Sequence, residues 1–84
     1  MINKEILKKQ IIYRSSHRGT KEMDIFLGNF VKRYINELNN SELKDLEKLL
    51  SYEDEAIYKW YIEKSLEKVI PNNKVSMMLK KFKL

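Results

Sequence analysis

The residues that could carry chemistry or recognition lie together in Tyr13-Arg14-Ser15-Ser16-His17-Arg18-Gly19-Thr20-Lys21-Glu22-Met23-Asp24. This is a charged stretch broken by a single glycine, set between two segments that read as ordinary packing helices. Gly19 permits either a positive φ or a close backbone approach that a Cβ would block. Thr20 can cap the helix that follows by accepting a backbone N–H two or three residues on. Lys21, Glu22 and Asp24 then fall in its first turn, where the two carboxylates complement the positive end of the helix dipole. Taken on spacing alone, the stretch is a helix stop followed by a helix start. Glu22 and Asp24 are no catalytic carboxylate pair, because residues two apart on a helix face different directions. The chain has no cysteine and one histidine, His17. That excludes thiolate chemistry, disulfides and a histidine- or cysteine-built metal centre. With no Gly-rich phosphate loop and no nucleophile elbow either, no catalytic residue is assigned.

The elements that must position this stretch are all helical in pattern. Asn3 can cap a first helix in which Ile6, Leu7, Gln10 and Ile11 recur at three- and four-residue spacing, with Ile12 and Tyr13 extending the apolar side. The second helix is the clearest: Met23, Phe26, Leu27, Phe30, Val31, Tyr34, Ile35 and Leu38 form one stripe. Gly28 costs roughly 1 kcal/mol in mid-helix relative to alanine and is expected where another helix comes close. Asn39-Asn40 ends that element and Ser41 is expected to cap a third helix that buries Leu43, Leu46, Leu49 and Leu50. An acidic break at 51–55 opens a fourth, with Ser51 or Asp54 as its cap. Ile57, Trp60, Tyr61 and Leu66 face inward there, and Tyr58 and Ile62 widen the face. Pro71 enforces an end, and Asn72-Asn73 opens a fifth helix carrying Val75, Met78, Leu79 and Phe82. Without strand patterns or repeats, the expected fold is all-α: a single domain over 1–84, an antiparallel bundle of about five helices.

The composition bounds the function classes. At 43% hydrophobic and 35% charged residues, the chain is too apolar for disorder and too charged for a membrane protein. No apolar run approaches the ~20 residues that span a bilayer, so membrane insertion is not expected. The first residues, Met1-Ile2-Asn3-Lys4-Glu5, have neither signal- nor transit-peptide character, which sets the expectation of a bacterial cytoplasmic protein. The net charge of +5 is unevenly spread: residues 1–20 hold five Lys/Arg against Glu5, residues 41–70 hold five lysines against eight acids, and residues 71–84 add four lysines. Basic ends could attract nucleic acid or an acidic partner.

Tyr13-Arg14-Ser15, then His17-Arg18-Gly19-x-x-Glu22-x-Asp24 and Leu27-Gly28-x-Phe30, resembles the succinate dehydrogenase flavinylation factors. These are small all-helical assembly factors with an Arg-Gly-x-x-Glu signature between their first two helices. Leu49-Leu50, the acidic break with Asp54, Trp60 and Pro71 resemble the family's second half. Thr20 stands in place of its usual methionine, Ala56 in place of a frequent aspartate, and Tyr61 where leucine is common. The resemblance implies an assembly factor rather than an enzyme, with no cofactor of its own. Its client would be the flavoprotein subunit of succinate dehydrogenase, or a related fumarate reductase, and the FAD would belong to that client. It also implies a client-binding set. Gly19 would let the turn approach the client, and Arg18, taken as exposed, would offer a planar donor fork. Glu22 would accept a client hydrogen bond or orient Arg18. Arg14 and Tyr13 would flank the same surface, with Asp24 beside them, and His17 would be either a local proton carrier or a solvated loop residue. The competing reading, a basic helical nucleic-acid-binding module, suits the lysine-rich ends. It is poorly served by the mixed outer face of the second helix, with Asp24, Asn29, Lys32, Arg33 and Glu37.

Overall fold

A computed structural model describes residues 3–63 and 70–82. It contains five helices, α1 (Lys4–Ser16), α2 (Lys21–Tyr34), α3 (Asn40–Leu50), α4 (Asp54–Glu63) and α5 (Lys74–Lys81), and no strand among the described residues. The all-α expectation is met. α1 packs against both α2 and α3, and α3 also meets α5.

Four of the helix starts are set by side chains. The Asn3 Oδ1 accepts the Glu5 N–H at 2.9 Å, and the Thr20 Oγ1 accepts the Met23 N–H at 3.2 Å. The cap of α3 is Asn39, not Ser41. Its side chain accepts the Glu42 N–H at 2.8 Å while the Glu42 carboxylate accepts the Asn39 N–H at 2.9 Å. This reciprocal box satisfies two orphan donors at once, which a serine two residues too late cannot do. Asn73 and Ser76 form the corresponding box at α5.

The α2 stripe lies in the core as its periodicity requires, with Leu27, Phe30 and Val31 fully enclosed and only Tyr34 partly exposed. Around it, Phe30 meets Phe82 edge-on at 5.4 Å and Phe26 meets Tyr61 at 4.7 Å between ring centroids. The Tyr61 hydroxyl donates to the Phe82 carbonyl at 2.7 Å, so this aromatic cluster joins α4 to the end of α5. Trp60 is buried beside it, with the Lys80 ammonium 5.3 Å from its ring centre.

Two apolar faces differ from expectation. In α1 the inward row is Leu7, Ile11 and Ser15, while Ile6, Ile12 and Tyr13 are exposed. Contact on successive fourth residues gives a narrow seam, and the small Ser15, facing Gly28 of α2, lets the two helices come together there. In α4, Ile57 and Trp60 are buried but Tyr58 and Ile62 are 56% and 54% exposed. Leu66, the remaining residue expected on that face, lies outside the described residues.

Gly28 is buried, yet a Cβ built there would meet only the Ser15 carbonyl oxygen, at 3.9 Å. That is ordinary van der Waals contact, so the site tolerates alanine. Gly28→Ala is therefore expected to raise stability by up to about 1 kcal/mol through helix propensity, read from urea melts.

Glu42 supplies a second test. The Asn39 N–H, then the Lys74 ammonium at 3.0 Å, hold its carboxyl below the usual value of 4.5. A carboxyl depressed on folding contributes stability above its unfolded pKa and loses it as the pH falls through the folded value. Glu42→Gln should thus narrow the stability gap between neutral and acidic solution, measured by thermal melts across the carboxylate range.

Candidate functional site

The turn between α1 and α2 is built on Arg18, whose side chain is only 9% exposed. Its guanidinium makes three bonds to another part of the chain. Nε donates to Asp54 Oδ1 at 2.6 Å, Nη1 to the Leu50 carbonyl at 2.7 Å, and Nη2 to the Tyr52 carbonyl at 2.7 Å. Leu50 ends α3 and Tyr52 lies just beyond it, so Arg18 satisfies carbonyls that a helix terminus leaves open. The cation also sits at the negative end of the α3 dipole, and Asp54 sits at the positive start of α4. Asp54, expected as a cap of its own helix, turns both carboxylate oxygens to this turn. Oδ1 takes Arg18, and Oδ2 accepts the Gly19 N–H at 2.5 Å. The Arg18 N–H donates to the Asp24 carboxylate.

The structure thus brings together Arg18, Gly19 and Asp24, and adds Asp54. The expectation of an exposed Arg18 fork is corrected: each of its described bonds is internal. Gly19 serves close approach rather than a positive φ, for a Cβ there would lie 3.0 Å from Asp54 Oδ2. The close neighbour is the chain's own carboxylate.

Other predicted residues stand apart from this knot. Tyr13 and His17 stack at 3.9 Å on the exposed end of α1. The His17 Nδ1 lies 2.8 Å from the Tyr13 carbonyl, which can only accept, so Nδ1 carries the proton in the neutral ring. Arg14 reaches Glu47 of α3 at 3.8 Å. Glu22 is exposed and has no hydrogen bond or ion pair among the described residues. It lines a shallow groove of about 370 Å³ with Thr20, Met23, Asp54, Glu55 and Tyr58.

Local spacing gave Asp54 only a capping role, since its partner is 36 positions away. Tyr58 and Glu55 carried no sequence signal at all beyond amphipathicity. No cluster of His, Cys, Asp or Glu among the described residues could hold a metal ion. No described helix is long and apolar enough to cross a membrane.

The family model described as flavinator of succinate dehydrogenase matches residues 9–83. The chain belongs to this family. Among its relatives, a protein of Scheffersomyces stipitis named mitochondrial succinate dehydrogenase assembly factor 2 is 41% identical over 56 residues, covering 67% of this chain and 38% of the relative. Its namesake in Dictyostelium discoideum is 38% identical over 69 residues, 76% of this chain and 49% of the relative. The namesake in Arabidopsis thaliana is 34% identical over 61 residues, 73% of this chain and 32% of the relative. The flavinator-family chain therefore matches less than half the length of each of these relatives. No solved structure matches it significantly. The expectation of a bacterial cytoplasmic protein is overturned by these relatives, which are named as mitochondrial. Since they extend well beyond the matched region, the composition of the first residues here carries no weight about address.

Removing Arg18 would leave Asp54 uncompensated and two carbonyls unpaired. Arg18→Ala is therefore expected to cost about 3–5 kcal/mol, as breaking an enclosed ion pair does, and to appear as a lowered midpoint in denaturant melts.

Proposed function

We propose that this chain is an assembly factor that binds the flavoprotein subunit of succinate dehydrogenase and promotes covalent attachment of FAD to it. The observation that carries this reading is the family match over residues 9–83, which includes the whole Arg18–Glu22 turn. The bond-forming chemistry belongs to the flavin and the client. This chain's contribution is to hold a client element in productive geometry, which can remove several kcal/mol of a barrier when the positioned groups are rigid.

The turn suits such a task. Arg18, Asp24 and Asp54 fix its backbone from within, and the groups left for a partner are Glu22, Tyr13 and His17. The FAD is assigned to the client rather than to a site here. A groove beside the turn is bordered by Glu22, Asp54 and Glu55, and carboxylates repel a diphosphate. The same carboxylates, and the internal use of Arg18, speak against phosphate contact and so against the nucleic-acid reading.

Glu22 gives the clean test, because it is exposed and has no partner to lose among the described residues. In co-expression of factor and client, read by covalent flavin on the denatured client band, Glu22→Ala is expected to reduce flavinylation while the factor stays folded. A client donor left unpaired would cost ~1–3 kcal/mol of binding, a loss of affinity of roughly 5- to 150-fold. Glu22→Gln separates charge from shape. Gly19→Val is expected to abolish flavinylation too, but by displacing Asp54, so its melt should shift as that of Arg18→Ala does. Full flavinylation with folded Glu22→Ala would remove Glu22 from the site.

A further inference from the structure

The outer face of α4 is left unused by the core. Glu55, Tyr58, Lys59 and Ile62 follow one another at helical spacing along it, and Tyr58 and Ile62 are more than half exposed. Two large apolar side chains, one turn apart and facing water, are not what core packing produces. Of the two, Tyr58 borders the groove described above, on whose other side lie Thr20, Glu22 and Met23 of the α2 start. The groove is lined by the apolar Met23 and Tyr58 and by three carboxylates, with no lysine or arginine among its lining residues. In a chain of net charge +5 this is a local reversal of sign.

The carboxylates are not equivalent. Asp54 is neutralised by Arg18, and Glu55 shares Lys59 at 3.0 Å. Glu22 is the one of the three that has no ion pair among the described residues. A ligand that seats here needs an apolar group for the Met23–Tyr58 surface and a cation for Glu22. A groove of about 440 Å³ elsewhere has the opposite character: Lys74 and Lys81 flank Met77 and Met78 on α5.

We infer that the groove between the start of α2 and the outer face of α4 is a docking surface for a protein segment carrying an apolar side chain next to arginine or lysine. Tyr58 supplies the apolar contact and Glu22 the charge. In the functional reading above the segment belongs to the client, and the inference rests on that reading for its biological owner. The physical claim about the groove is testable alone. Arginine fits better than lysine, because a planar guanidinium can both pair with Glu22 and lie against the Tyr58 ring.

Amide chemical shifts of the isotope-labelled chain report this directly. The probe is a short blocked peptide with leucine flanked by arginines, and its control has glutamates in place of the arginines. Shifts at Thr20–Met23 and Asp54–Ile62 with the arginine peptide, absent with the control, are the expected result. Tyr58→Glu and Glu22→Lys should each weaken the binding at least about tenfold, and both positions are exposed enough for the fold to survive. Equal shifts with both peptides, shifts centred elsewhere, or none at all would overturn the inference. A second measurement titrates the folded Tyr58→Glu factor with the client flavoprotein subunit. A large loss of affinity supports the groove. Unchanged affinity overturns it while leaving the assembly-factor reading to stand on the Glu22 and flavinylation results.

Discussion

The structure depends on one ion pair. Arg18 and Asp54 join the turn between α1 and α2 to the turn between α3 and α4, and each makes more than one bond in doing so. The guanidinium takes a carboxylate and two carbonyls, and the carboxylate takes the guanidinium and an amide. Neither residue would be tolerated in that enclosed position alone, because a buried charge without partners is expensive. Together they convert two flexible connections into one rigid surface. The packing of α1, α2 and α3 would hold the helices near one another without it, but would not fix the backbone of residues 18–20.

The pair also sits where helix dipoles reinforce it. The C-terminal carbonyls of α3 face the cation, and the start of α4 carries the anion, so four partial or full charges alternate within one small volume. Gly19 matters for the same reason. Its missing Cβ leaves room for a carboxylate oxygen 3.0 Å from where that atom would be, and its N–H is what the oxygen binds. The Arg-Gly dipeptide is thus one half of an internal joint, while Glu22, three residues later, is turned to the outside. A five-residue signature that looks like a single recognition motif divides into residues that shape the surface and a residue left exposed on it.

How much of this could be read from sequence varies with range. The α2 stripe was legible because Met23 through Leu38 repeat at a period that only a buried helix face explains. The cap at Thr20 was legible from local spacing. Asn39 was missed in favour of Ser41, since Asn-Asn-Ser offers three capping residues in a row and the box with Glu42 selects the first. Ile6, Tyr58 and Ile62 were placed inside because periodicity sees apolarity but not which neighbours are present to cover it. Arg18 was placed outside for the opposite reason: a charged residue in a turn is usually solvated, and its partner 36 positions away leaves no local trace. The family resemblance singled out the stretch from Tyr13 to Asp24 but could not say which of its residues point inward.

The Arg18–Asp54 joint has a consequence for the order of events in the cell. It links segments far apart in the chain, and contacts of that kind form only after intervening loops have closed. A molecule whose helices have formed but whose α4 has not docked has Asp54 out of reach, so the turn at Gly19 has no fixed shape. Under the function proposed above, recognition at this turn would double as a check on maturity, because half-folded copies would lack its fixed surface.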